Sequence, residues 1–131
     1  MSKFFSLGAQ AGIAALTAVL AIGFLPSAAR AEMSFKEDVF PIIQLRCLEC
    51  HQPGGEGYEK SGLDLRTYES LMKGTKFGAV VTPHSAIESS LIAVIERRTS
   101  PEIWMPHKRK ELSSCERRVF SHWVRQGARK N

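Results

Sequence analysis

Residues 47–51 read Cys-Leu-Glu-Cys-His, two thiols three positions apart with an imidazole directly after the second. Whatever these side chains hold in common, the rest of the chain must fold around it. The choices are few: a metal ion, a disulfide exchanged with other thiols, or a covalently attached haem. Each belongs in a different redox compartment, so the N-terminus bears on the choice.

The chain opens MSKFFSLGAQAGIAALTAVLAIGFLPSAARAEMSF, with Lys3 its only charge before Arg30 and an apolar run from Ala11 to Leu25. Ala29-Arg30-Ala31 has the small-x-small pattern read by signal peptidase. Residues 1–31 are therefore predicted to be a signal peptide cleaved before Glu32, and the mature protein to be periplasmic. An uncleaved membrane anchor is the alternative, but the run is shorter than the ~20 apolar residues of a spanning helix. Residues 32–131 are enough for one domain and too few for two. A core that small benefits from a covalent staple or a cofactor.

Export changes the meaning of the cysteines, Cys47, Cys50 and Cys115. An odd number, two of them in one Cys-x-x-Cys, is a poor disulfide framework. A zinc site would want two further ligands at ordered spacing, and no second Cys-x-x-Cys or His-x(3–5)-His follows. A thioredoxin-like site needs a strand before the motif, whereas SFKEDVFPIIQLRCLECH reads as a helix. Ser34 and Glu37 form a capping-box pattern, Phe35, Val39, Phe40 and Ile43 form an apolar stripe, and Pro41 predicts a kink or restart. If the helix continues to the motif, Cys47, Cys50 and His51 fall at i, i+3 and i+4 on one face. Two thiols so placed can form thioethers with the vinyl groups of a haem, and the imidazole beside them can reach the iron. Cys-x-x-Cys-His is the attachment signature of c-type haem.

The iron then needs a sixth ligand or keeps an open position. Met33, Met72, Met105, His84, His107 and His122 are available. Met105 has the most suitable setting, in the irregular segment PEIWMPHKRK, where Pro106 biases it towards extended backbone and away from a helical surface. Met72 lies in a short predicted helix, where core packing is the ordinary role. His107 and His84 remain rival ligands.

From Phe35 to Ala128 the chain resembles a small class I c-type cytochrome and is most similar to the planctomycete-type cytochrome c domain. The matching elements are VFPIIQLRCLECH, SGLDLRTYESLMKGTKFGAVVTP, ESSLIAVIE, WMP and ELSSCERRVFSHWVRQGA, in that order. The resemblance implies an all-α, cytochrome c-like fold, about four helices packed around one covalently bound haem. It matches the family's haem-binding residues to Cys47, Cys50 and His51, and its methionine ligand to Met105. Two places depart from the family pattern. Met105-Pro106-His107 stands where Met-Pro-Pro is common, and His84-Ser85-Ala86 where Gly-Asp-Pro is common.

Helix signals in the sequence agree. A short helix is predicted over Thr67–Lys73, closed by Gly74. Ser85 and Glu88 form a capping-box pattern ahead of Ile87, Leu91, Ile92, Val94 and Ile95, and Ser113 and Glu116 another ahead of Val119, Phe120, Trp123 and Val124. Gly127 is placed to stop that last helix. HQPGGEGYEKSG and KFGAVVTP read as loops, with FGAVV extended but unpaired. Trp123 is expected to pack the last helix against the first, near Val39 or Phe40. Cys115 has two readings, a buried inert thiol aligned with Val119 and Trp123 or an intermolecular disulfide.

Charge is uneven. Residues 32–96 hold six Lys and Arg against ten Asp and Glu, and residues 97–131 hold ten against three. The cluster His107-Lys108-Arg109-Lys110 adjoins Met105, so it is expected on the methionine-side rim of the haem, steering the protein to an acidic redox partner. An anionic membrane surface is a further candidate partner, and nucleic acid is not expected. Iron held by two axial protein ligands has no site for substrate but can exchange one electron. The expected role is a periplasmic electron carrier and not an enzyme, either diffusible or the haem subunit of a larger oxidoreductase. The alternative is a gas-binding or catalytic haem subunit with a labile or histidine sixth ligand. A two-haem peroxidase is excluded, because only one Cys-x-x-Cys-His is present.

Overall fold

The computed structural model describes residues 31–131, so the expected signal peptide, Ala31 apart, lies outside the described residues. Ser34 opens the first helical segment. Its Oγ accepts from the Glu37 amide at 3.1 Å, and Asp38, rather than Glu37, returns a carboxylate to the Ser34 amide at 2.8 Å. Two donors with no intrahelical partner are thereby satisfied. Phe35–Val39 form a widened π-helical turn, with the Val39 amide reaching back to the Ser34 carbonyl at 3.2 Å. A regular helix, α1 (Phe40–Arg46), restarts there with Pro41 in its first turn, where a missing N–H is tolerated.

Helix α1 stops one residue short of the motif, correcting the expectation of a continuous helix through it. The amides of Cys47 and Leu48 both converge on the Ile43 carbonyl at 2.9 Å, which interrupts the regular ladder, and Cys47 takes φ −128°. A helical closure survives in the turn that follows, from the His51 amide to the Cys47 carbonyl at 3.1 Å.

A second correction falls in HQPGGEGYEKSG, read as loop, where Glu56–Ser61 form helix α2. Glu56 and Lys60 pair across one turn at 2.7 Å, and Gly62 ends the helix at φ +76°. Helix α3 (Tyr68–Lys73) has Thr67 as its cap, in a reciprocal box with Ser70, and Gly74 as its stop, close to prediction. Helix α4 (Ser90–Ile95) has Ser89 as its N-cap, four residues later than the Ser85 pattern suggests. Ser85 does accept from the Glu88 amide at 3.3 Å, but this closes a turn. The turn is fixed by the buried Ser89, whose Oγ accepts from the Thr82 amide at 2.9 Å and donates to the Ser85 carbonyl at 2.7 Å. Ile87 is consequently 82% exposed rather than part of a helical stripe. Helix α5 (Ser114–Arg125) has the predicted Ser113–Glu116 capping box. Gly127 follows at φ +104°, and the Ala128 amide bonds back to the Trp123 carbonyl at 2.9 Å.

No β-strand occurs among the described residues, only isolated bridges at Thr75–Gly78 and Thr82–Ser85. Among the described residues the architecture is all-α as predicted, with five α-helices instead of about four. Its core joins Val39, Ile43, Leu71, Ile92, Phe120, Trp123 and Val124, with Val80 and Val81 buried from the extended FGAVV segment. Trp123 does pin α5 to the first described helical segment, but its ring partner there is Phe35, at 5.5 Å between centroids. Phe35 also meets Phe40 at 5.8 Å and Tyr68 at 5.3 Å, so one aromatic cluster fastens α1, α3 and α5 together. The Trp123 indole donates to the Arg129 carbonyl and the Tyr68 hydroxyl to the Ala128 carbonyl, leaving no polar tip unsatisfied in that cluster.

Candidate functional site

The turn after α1 presents Cys47 and Cys50 as half-buried free thiols, and His51 as a buried imidazole. Neighbouring backbone holds this turn in place. The Tyr58 amide of α2 donates to the Cys50 carbonyl at 2.9 Å, and the Leu65 amide donates to the His51 carbonyl at 2.9 Å. Helix α2 lies against His51 because Gly57 has no side chain. A Cβ there would come within 2.7 Å of the imidazole Cε1 and 2.9 Å of Nε2.

The electrostatics of the three side chains separate the possible chemistries. Burial pushes the Cys47 thiol up to about 11, against a smaller opposing pull from Arg46. A nucleophilic redox cysteine needs the opposite shift, so thiol–disulfide exchange does not suit this turn. Among the described residues no group of three or more His, Cys, Asp or Glu could hold a metal ion, which disfavours the zinc reading. Burial holds the His51 imidazole below its ordinary pKa, towards the neutral form that coordinates metals, although the Leu63 carbonyl pulls the other way. His51 Nδ1 is buried with no hydrogen-bond partner.

Met105 sits in the segment between α4 and α5, after a short 3-10 turn, Pro101–Ile103. Its amide donates to the Val94 carbonyl of α4 at 3.2 Å, and its half-buried side chain packs against the core, as does Cys47. Trp104 beside it donates from its indole to the Thr99 carbonyl at 2.9 Å, while Arg97 stacks on its ring at 5.0 Å. Arg109 pairs with Glu49, inside the Cys-x-x-Cys motif, at 2.9 Å. Arg46 donates to the Lys110 and Glu111 carbonyls at 2.8 and 3.0 Å. The methionine segment is thus tied to the motif turn. His107 is exposed. His84 is exposed too, at φ +69°, with its ring against Gly127 and its amide bonded to the Val124 carbonyl at 2.8 Å. That is the opposite end of α5 from Ser113, where the methionine segment joins. Met33 and Met72 pack against the core.

Residues 47–108, spanning the motif turn, Met105 and the segment between them, match the family model for planctomycete cytochrome C. Over those residues the chain is similar to the planctomycete-type cytochrome c domain. No curated protein and no solved structure matches. Cytochrome c domains carry electrons on a covalently bound haem, and Cys47, Cys50 and His51 stand in the spacing that attaches it. The residues present fit such a group. The thiols are free, the imidazole is buried with an unsatisfied nitrogen, and a glycine makes room for its ring. Sequence reasoning missed Gly57 and Arg46. Glu56 and Lys60 at i, i+4 before Gly62 were the available signal for α2, and hence for what packs on His51.

Cys115 corrects one of its two readings. It is exposed, not buried. It lies in the first turn of α5, beyond the edge of the core that takes in Phe120, Trp123 and Val124.

Proposed function

We propose that this protein is a periplasmic monohaem electron carrier in which Cys47 and Cys50 hold the haem through thioethers, and His51 and Met105 are its axial ligands. When bound, the haem iron supplies one-electron chemistry, and a thioether opposite an imidazole favours the ferrous state relative to two imidazoles. The observation that carries the reading is the buried His51 imidazole, its Nδ1 without a hydrogen-bond partner, beside two free thiols. The chain contributes fixed positions. The turn after α1 presents the thiols and the imidazole, α2 backs the ring at Gly57, and the Met105 amide is anchored on α4. Ligands held by packing and backbone bonds move little when charge changes, as fast electron exchange requires. Cytochrome c domains are typically extracytoplasmic, and no described helix is long and apolar enough to cross a membrane. The first accords with export through the N-terminal segment.

Mass spectrometry of the exported protein should show one haem added to a chain starting near Glu32. Ferric protein should show the weak long-wavelength band of a sulfur–iron bond. Met105→Ala should abolish that band, lower the potential and admit carbon monoxide, while His107→Ala and His84→Ala should do none of these. A mass corresponding to free thiols would sink the attachment. A wild-type protein that binds carbon monoxide readily would instead make it a gas-binding or catalytic haem subunit.

A further inference from the structure

We infer that Arg46 is the positioning residue for the sixth ligand. Its guanidinium clamps the C-terminal end of the Met105 segment to the helix that leads into the haem motif, and so sets how readily Met105 leaves the iron. The inference rests on Met105 being the ligand and adds the group that keeps it there.

Arg46 is the last residue of α1 and directly precedes Cys47. One nitrogen, Nη2, donates to two successive carbonyls, Lys110 at 2.8 Å and Glu111 at 3.0 Å. Both belong to the irregular stretch before α5, where no helix or sheet offers them a partner. On its other edge, Nε lies 3.9 Å from Glu116 Oε1. The second oxygen of Glu116 accepts from the Ser113 amide at 2.6 Å as the returning half of the α5 capping box. One planar cation therefore joins three parts: the turn that attaches haem, the end of the methionine segment, and the start of α5. At the other end of that segment, the Met105 amide is already fixed to Val94. Releasing Arg46 leaves residues 106–111 attached chiefly by surface pairs, up to Leu112, which is buried in the core.

Among those pairs, Arg109–Glu49 is the obvious competitor for the role. Its side chains are 47% and 73% exposed, against 23% for both Arg46 and Glu116. Exposed pairs are screened by water and salt and hold little. A half-buried guanidinium donating to backbone carbonyls is charge-assisted and cannot be replaced by water without leaving those acceptors poorly served. Geometry also separates arginine from lysine here. An ammonium can reach a carbonyl, but it has no rigid fork to serve the carbonyls and Glu116 together.

The test uses the haem-loaded ferric protein and imidazole as a competing ligand. Arg46→Met keeps the length and packing of the stem and removes every donor. The apparent imidazole affinity should rise about tenfold or more, as expected for losing a charge-assisted hydrogen bond. Trypsin should also cut faster after Lys108–Lys110. The far-UV unfolding midpoint of the same ferric protein should move much less than the midpoint for loss of the sulfur–iron band. Glu49→Gln should leave imidazole affinity within about twofold of wild type. Arg46→Lys should shift affinity in the same direction but less, and serves if the methionine variant does not mature.

If the band is present and both Arg46 variants match wild type in imidazole affinity and cleavage, the clamp is wrong and the ligand assignment stands. Equal loss of band and global fold would make Arg46 a general stabiliser and overturn the proposal. A wild-type protein with no sulfur–iron band removes Met105 from the iron, and the proposal falls with that assignment.

Discussion

Gly57 packs directly on the His51 ring, and the balance of forces there runs against the usual helix preference. In an exposed helix, alanine in place of glycine stabilises by about 1 kcal/mol. At position 57 the added carbon would come within 3.0 Å of two imidazole atoms, on a ring anchored in the motif turn. Overpacking of that kind costs about 1–3 kcal/mol, so the contact wins. Gly57→Ala should lower the denaturation midpoint and reduce the fraction of exported protein carrying haem, seen as haem absorbance per chain. A more stable, fully loaded variant would show that α2 does not back the ring. Cys115 gives a second residue-scale expectation. It is exposed while Cys47 and Cys50 are the proposed thioether sites. Haem-loaded protein should therefore react with one equivalent of a thiol reagent without denaturant. Three equivalents would contradict covalent attachment, and none would indicate that Cys115 is already in an intermolecular disulfide.

At the level of elements, α5 carries the largest buried side chains, Trp123 and Phe120, and begins at the Ser113–Glu116 box. Ser113 Oγ accepts from the Glu116 amide at 3.2 Å, and the Glu116 carboxylate accepts from the Ser113 amide. Ser113→Ala removes the first of these bonds and should destabilise by about 1 kcal/mol, the usual size for a lost N-cap. Denaturant unfolding followed by far-UV circular dichroism measures it. Trp123→Ala should cost about 3–5 kcal/mol, because a 0% exposed indole in contact with Phe35 leaves a cavity that neighbours cannot fill. If the two variants proved equally mild, α5 would be fastened by something other than its aromatic face.

Across the whole molecule the basic excess is divided: the 107–110 cluster is exposed beside the methionine segment, while Arg129 and Lys130 pair with Glu32 and Glu69 beyond the far end of α5. Lys108 and Lys110 are exposed beside the groove formed by Leu45, Arg46, Pro106, Arg109 and Lys110, with a volume of about 290 Å³. Leu45 is 77% exposed at its edge. Arg109 is drawn off by Glu49, whose carboxyl it holds below the usual range. Among the described residues neither Lys108 nor Lys110 is in a salt bridge, so those two are the cations of this cluster available for steering. Lys108→Glu with Lys110→Glu should slow electron transfer to an acidic partner at low ionic strength and flatten its salt dependence, with the potential nearly unchanged. Stopped-flow kinetics across a salt series would read it, and unaltered rates at low salt would make the cluster an ordinary solvated face.

The sequence by itself determined the chemistry that can occur and most of the helices that support it. The Cys47, Cys50 and His51 spacing, the Ser113 cap and the Gly74 stop depend on residues within about one turn of each other, and local geometry suffices to read them. Tertiary structure decided what depends on approach between distant parts. Two glycines beside the motif read as loop, and only the imidazole packed on Gly57 shows why helix α2 carries one. Ser85 has the local pattern of a helix cap, yet Ser89, buried against Thr82, holds that stretch as a turn and delays α4. Cys115 lies on the apolar periodicity of α5, but the core ends before reaching it. Arg46 carries no local signal of a role, and only the fold brings the Lys110 and Glu111 carbonyls to its guanidinium. A sequence pattern records which groups can bond locally, whereas long-range contacts depend on where the chain returns, and that is set by burial of the common core.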